Sequence, residues 1–212
     1  MVVEYNFNDG IEGMKKTLLA GFFLSVLAFV VSFLYAPESN VQVIALHSSI
    51  FFLGLFFLYE KSWKKTLKRL GVPGNLKNNV KYFIGGLAMI ILSVIALNVL
   101  FYSVGANDSA NITETVQQLP FYIVLFGIVV APVTEEVFFR AFLVEKTGIW
   151  ISSGIFALSH VAYGSVVELA GAFVIGIILA VVYRRSASLV PVVAIHFVFN
   201  LVSILAIHGG TV

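Results

Sequence analysis

"FYIVLFGIVVAPVTEEVFFRAFLV", residues 121–144, sets two adjacent carboxylates, Glu135 and Glu136, and a guanidinium, Arg140, into an otherwise apolar run. In water such a cluster would be an ordinary helix face. In hydrocarbon an ionisable group costs several kcal/mol by rough estimate and marks a functional site by default. Which solvent surrounds the stretch therefore decides both fold and function.

The rest of the chain answers that question. Of 212 residues, 59% are hydrophobic and 11% are charged, less than half the roughly 25% usual for soluble domains. This composition predicts an all-α polytopic membrane protein, one integral membrane domain over residues 1–212. Runs of about 20 apolar residues lie at 17–35, 41–59, 82–104, 121–144, 149–163, 169–183 and 189–207, seven candidate spans. The fifth is short enough to be a re-entrant piece. Seven of the eight tyrosines and both tryptophans fall at or just beyond segment ends, where amphipathic rings meet the headgroups. With six more segments behind it and no small-residue cleavage site, the first reads as an anchor.

Orientation follows from the bases. Lys15 and Lys16, the lysines and arginine of the loop 60–81, Lys146, and Arg184 with Arg185 all share one side if the N-terminus is cytoplasmic. The loops "APESN" and "GANDSANITETVQQLP" carry no base and are assigned to the outside. The expected location is the cell membrane, with lipid as partner. No separate basic patch points to nucleic acid. The absence of cysteine excludes disulfides, thiolate metal sites and a cysteine nucleophile.

Within the spans the ionisable groups are His47, Glu135, Glu136, Arg140, His160 and His196. On an α-helix Glu136 and Arg140 share a face and Glu135 is turned from it by about 100°. His196 and Asn200, in "PVVAIHFVFN", are also four apart, and so present two polar groups to one spot. Ser159 adjoins His160 and is expected to point away from it. Counted inward from the flanking bases at 1.5 Å per residue, Glu135, His160 and His196 lie roughly 16 to 21 Å deep. Three helices thus offer polar groups at one level. His47 stands alone in the first half and reads as an interhelical hydrogen-bonding group, with no role assigned. For the cluster as a whole, a polar network that merely holds helices together is the structural alternative.

"EEVFFR" (Glu135, Glu136, Arg140), "FALSH" (Phe156, His160) and "HFVFN" (His196, Asn200) occur in that order on successive hydrophobic segments. They resemble the EExxxR, FxxxH and HxxxN motifs of the CAAX prenyl protease and bacteriocin-processing family of intramembrane endopeptidases. The resemblance covers about residues 121–207, with 1–120 matching only in being hydrophobic. It implies a membrane protease whose site opens toward the cytoplasm and whose substrate is a membrane-anchored or prenylated peptide or protein. It implies Glu135 as general base, His160 as its partner in activating water, and His196 with Asn200 as oxyanion donors. Glu136 and Arg140 would orient the base, and Phe156 would pack beside the site and its substrate.

The residues suit that chemistry on their own terms. Burial and neighbouring cations act oppositely on a glutamate, which can poise it as a base. An imidazole N–H and an amide N–H one turn apart can hold a developing oxyanion. No cofactor is expected. A zinc site built from His160, His196 and Glu135 or Glu136 is the metal-dependent alternative. Against it, HExxH is missing and Arg140 would stand beside the dication. A non-catalytic protein that binds peptide or lipid, or relays protons, through the same cluster is the alternative of another class. Asn200 distinguishes them, because a relay needs titrating groups and an oxyanion site needs donors. Oligomeric state stays open, since the small residues at Gly171 and Gly176 fit packing within or between chains.

Overall fold

The computed structural model describes residues 7–36 and 40–209. The loop "APESN" falls mostly outside the described residues. Among those described there are helices and no strands, as expected of a chain that must satisfy its backbone inside a bilayer. The helices are α1 (Phe7–Tyr35), α2 (Val41–Leu58), α3 (Trp63–Arg69), α4 (Leu76–Ser103), α5 (Ser109–Gln117), α6 (Phe121–Val129), α7 (Ala131–Glu135), a π-helical segment (Glu136–Leu143), α8 (Val144–Leu158), a 3-10 turn (Val161–Tyr163), α9 (Val166–Ser186) and α10 (Leu189–Gly209). Six helical stretches are long and apolar enough to cross a membrane, or up to seven if the bent pair α5–α6 counts as one. The protein is a multi-pass membrane protein of all-α class.

The stretch 121–144 departs from the single helix that its hydropathy predicts. Pro132 has no N–H to continue the ladder, and the chain breaks at Val130 between α6 and α7. Short α6 is bent 118° against α5. At nine residues α6 is too short to cross alone, and the expected short fifth segment, 149–163, is likewise only part of a longer run.

The run 131–163 is apolar enough to count as one span of 33 residues, yet it doubles back. Ser152 Oγ donates to the Phe139 carbonyl at 2.7 Å, whereas 13 residues of continuous helix would separate them by roughly 20 Å. The reversal occurs at Gly148, whose φ of +81° suits glycine and few other residues. Residues 131–147 and 149–163 are therefore two antiparallel arms. Glu135 and His160 sit 13 and 12 residues from that turn, which sets them opposite each other.

The two ends of the bundle are tied differently. At one end Arg69 of α3 forks onto both Glu145 oxygens at 2.9 and 3.1 Å and also reaches Glu60 at 3.1 Å. Beside it the α9–α10 turn docks on the α3–α4 turn, with Leu189 N–H on the Leu70 carbonyl and Ser188 Oγ on that of Gly71. Gly71 has φ +68°, and a Cβ there would run into the Ala187 carbonyl. These contacts gather the loop 60–81, Glu145 with Lys146, and Arg184 with Arg185 at the same end, the grouping that the charge pattern requires.

At the other end Asp108 caps α9. Its carboxylate accepts from Ser165 Oγ at 2.6 Å and from the Val166 and Val167 amides at 2.7 and 3.1 Å. Asn111 adds a bond to the Gly164 carbonyl at 2.9 Å. The Ser165 hydroxyl first, then the Val166 amide, hold the Asp108 carboxyl below the usual aspartate range. A depressed carboxyl stabilises the fold above its ordinary value, and that contribution is lost as the pH falls through the folded one. Asp108→Asn is thus expected to speed hydrogen exchange at Val166 and Val167 at neutral pH, and acidification of the unsubstituted protein is expected to do the same. Unchanged exchange in both would show the cap to be idle.

Candidate active site

The site is built where α2, the π segment, α8 and α10 meet. Glu135 closes α7 and Glu136 opens the π segment. A π turn bonds i to i+5 and carries more residues per turn than an α-helix, and such segments recur at functional sites. The wider turn keeps both neighbours inside the bundle: Glu135 is 9% exposed and Glu136 is fully buried. The expected divergence of the two carboxylates therefore holds as a difference of partners, while neither faces lipid.

Glu136 and Arg140 form a buried ion pair, with Oε2 and Nε 3.0 Å apart. The contact is close but poorly aligned for a hydrogen bond, and the Arg140 nitrogens make none among the described residues. The guanidinium instead lies over the Phe156 ring, 4.2 Å from its centroid. A face-on ring attracts a desolvated cation, so Phe156 and Glu136 share the task of holding Arg140. The second oxygen of Glu136, Oε1, accepts from His196 Nδ1 at 2.8 Å. That bond fixes the imidazole and turns Nε2 toward Glu135, whose Oε2 lies 3.8 Å away.

Phe156 is the hub. Its ring also packs on His160 at 4.7 Å, edge-on against His196 at 6.0 Å and on Phe139 at 5.1 Å. Gly176 lets α9 approach this ring, since a Cβ there would lie 3.3 Å from Phe156 Cδ1 and 3.1 Å from Ser153 Cβ. The Gly176 contact is thus one made within the chain.

His160 Nδ1 donates to the Phe156 carbonyl at 2.8 Å, so Nε2 is left for chemistry. Ser159 lies nearer than helix geometry suggests, with Oγ 3.2 Å from His160 Nδ1. The helix has ended at Leu158, so the 100° rotation does not carry through. Its hydroxyl hydrogen goes to the Phe156 carbonyl at 2.7 Å, which leaves Ser159 without the base contact a nucleophile needs.

The structure therefore brings Glu135, Glu136, Arg140, Phe156, His160 and His196 together, and Glu135 is within electrostatic reach of His160 and His196. Asn200 takes a partner on another element. Its Nδ2 donates to the Gly127 carbonyl of α6 at 2.9 Å, leaving one amide hydrogen uncommitted. His196 is thus held by the π segment and Asn200 by α6. Among the described residues no three His, Asp or Glu side chains converge so as to hold a metal ion.

His47 is the residue that sequence reading passed over. Its Nε2 meets Glu135 Oε1 at 2.9 Å. The signal was available: His47 lies 14 residues from Lys61, roughly 21 Å deep, at the level already assigned to the other groups. α2 is clamped to the π segment by Phe57, stacked on Phe142 at 4.9 Å, and this clamp delivers His47 to Glu135.

No curated protein and no solved structure matches the chain. Residues 117–202 match the family model described as "Type II CAAX prenyl endopeptidase Rce1-like". That stretch contains all three motifs and every polar residue described at the site except His47. Residues 117–202 are thus similar to the type II CAAX prenyl endopeptidase Rce1-like family, in agreement with the resemblance of the three motifs.

Proposed function

We propose that the chain is a glutamate-dependent endopeptidase, cleaving near the C-terminus of a prenylated protein from a site open to the cytoplasm. The family match supports CAAX-type intramembrane protease activity in general, on a membrane-associated peptide substrate. The observation that carries the finer reading is the division of labour between the two glutamates. Glu136 is committed to Arg140 and His196, whereas Oε2 of Glu135 makes no hydrogen bond among the described residues and faces His196 Nε2. Oε2 is then the atom that takes a proton from the attacking water. His160 Nε2 shares in orienting that water.

The attack places negative charge on the scissile carbonyl oxygen, and a donor already in place lowers its cost. With a hydrogen on each ring nitrogen, His196 donates Nδ1–H to Glu136 and its pre-aimed Nε2–H is suited to that oxygen. The uncommitted amide hydrogen of Asn200 supplies the second donor, with Gly127 setting its plane. The proton on Glu135 then passes to the leaving amine, so the base returns to its starting state.

The test is to incubate the purified protein with a farnesylated or geranylgeranylated C-terminal peptide and look for a released tripeptide. Release is expected, with loss of about 10²-fold or more in His160→Ala and His196→Ala. If folded protein releases nothing from either peptide, the peptidase reading fails and the binding or relay alternative takes its place.

A further inference from the structure

Nothing in the family match reaches α2, since residues 117–202 exclude it, yet α2 makes the shortest contact to Glu135. We propose that His47 is a positioning residue for Glu135: it captures one carboxylate oxygen and so presents the other to the water. The inference rests on the peptidase reading above for its consequence, though the contact itself does not.

The hydrogen-bond count supports it. His47 Nδ1 lies 2.9 Å from the Val43 carbonyl, which can only accept, so Nδ1 carries a hydrogen. The Nε2 to Oε1 separation of 2.9 Å requires a second hydrogen between them. The pair therefore holds one shared proton. With that proton on His47, Glu135 is a carboxylate and Oε2 is basic; with it on Oε1, Glu135 is a neutral acid and no base.

The imidazole is held at both ring nitrogens and against one aromatic ring. Val43 holds Nδ1, and Phe126 of α6 packs edge-on at 5.2 Å with an interplanar angle of 89°. The side chain is 14% exposed against 11% for Glu135. Phe126 precedes Gly127, the acceptor of Asn200. The bent helix α6 thus braces a contact on the base and one on the oxyanion side together. A residue free to change rotamer would leave Glu135 able to turn either oxygen inward, whereas a locked donor selects one.

The experiment is turnover of a prenylated peptide by His47→Phe and His47→Gln. Phenylalanine keeps the ring and its packing on Phe126 but donates nothing. Glutamine places an N–H near the position of Nε2. His47→Phe is expected to lower kcat about 10- to 100-fold with KM little changed, the cost of an unpaired buried charged oxygen. His47→Gln is expected to recover at least about half of that loss on a logarithmic scale. Unchanged kcat in the Phe variant overturns the proposal, and so does a Gln variant as slow as the Phe variant while equally well folded.

A second readout does not depend on activity. The chain has four histidines, so the nitrogen-15 resonances of His47 can be assigned by their loss in His47→Gln. If the pair shares a proton, the Nε2 shift must move when Glu135→Gln is introduced; an unmoved shift overturns the pairing. Absence of any peptide cleavage by the wild-type protein would instead defeat the peptidase reading, with the shift still reporting on His47.

Discussion

Glu135→Gln is expected to fold and to lose about 10² to 10⁴ in turnover, the range that a positioned general base supplies. The substitution is nearly isosteric, and the amide oxygen can still accept from His47. What it removes is the basic Oε2 facing His196 Nε2 at 3.8 Å. KM is expected to stay near the wild-type value, because the loss falls on the transition state rather than on binding. Glu136→Gln should behave differently. Its side chain can still accept the His196 Nδ1–H, so the proposed oxyanion donor stays aimed, but the charge opposing Arg140 is gone. A loss that falls mainly on stability is therefore expected there, read as a lower unfolding temperature in detergent beside substantial residual turnover.

The second large effect concerns that ion pair. Arg140→Leu is expected to destabilise the fold by about 3 to 5 kcal/mol, because it leaves the fully buried Glu136 carboxylate without its counter-charge. Arg140 is itself only 1% exposed and also covers the Phe156 ring, so the hub beneath it loses a wall. Buried pairs cost much of what they return, and replacing both members by neutral groups is often close to neutral. The double variant Glu136→Gln with Arg140→Met is therefore expected to regain most of the stability lost in Arg140→Leu. In it the glutamine side chain keeps an acceptor for His196, and the methionine side chain restores bulk over Phe156. Unfolding temperatures of the single and double variants decide this. A double variant as unstable as the single one would mean that Arg140 acts through a contact other than Glu136.

These effects trace back to features of different legibility. The helices and the grouping of bases at one end were readable from hydropathy and charge, because both are summed over many residues. The neighbourhood of Glu135, His160 and His196 was readable for the same reason: depth below flanking bases needs only the rise of a helix. What escaped was local. Pro132 marked a break inside 121–144, but the π turn after it has no composition signal, though its Phe142 and Phe139 pack on α2 and α8. The polar helix α5 and the basic helix α3 were invisible to a search for apolar runs. Ser159 was misplaced because the helix rule was applied one residue past the helix end.

His47 was passed over for a different reason. A lone histidine on an apolar helix gives no partner by spacing, and its partner is 88 residues away. Only the depth argument could have joined them. That a residue outside 117–202 makes the shortest contact to Glu135 ties the N-terminal half to the matched domain. The N-terminal helices thus help to complete the site in addition to packing around it.

In the proposed mechanism hydrolysis turns on Glu135 activating water, and one measurement addresses that step without intermediaries. The purified wild-type protein and Glu135→Gln are incubated with a prenylated peptide in water enriched in oxygen-18, and the prenyl-cysteine product is weighed by mass spectrometry. One oxygen-18 is expected in the new carboxylate from the wild-type protein, and at most about a hundredth of that product from the variant. Equal labelled product from Glu135→Gln would rule out Glu135 as the base.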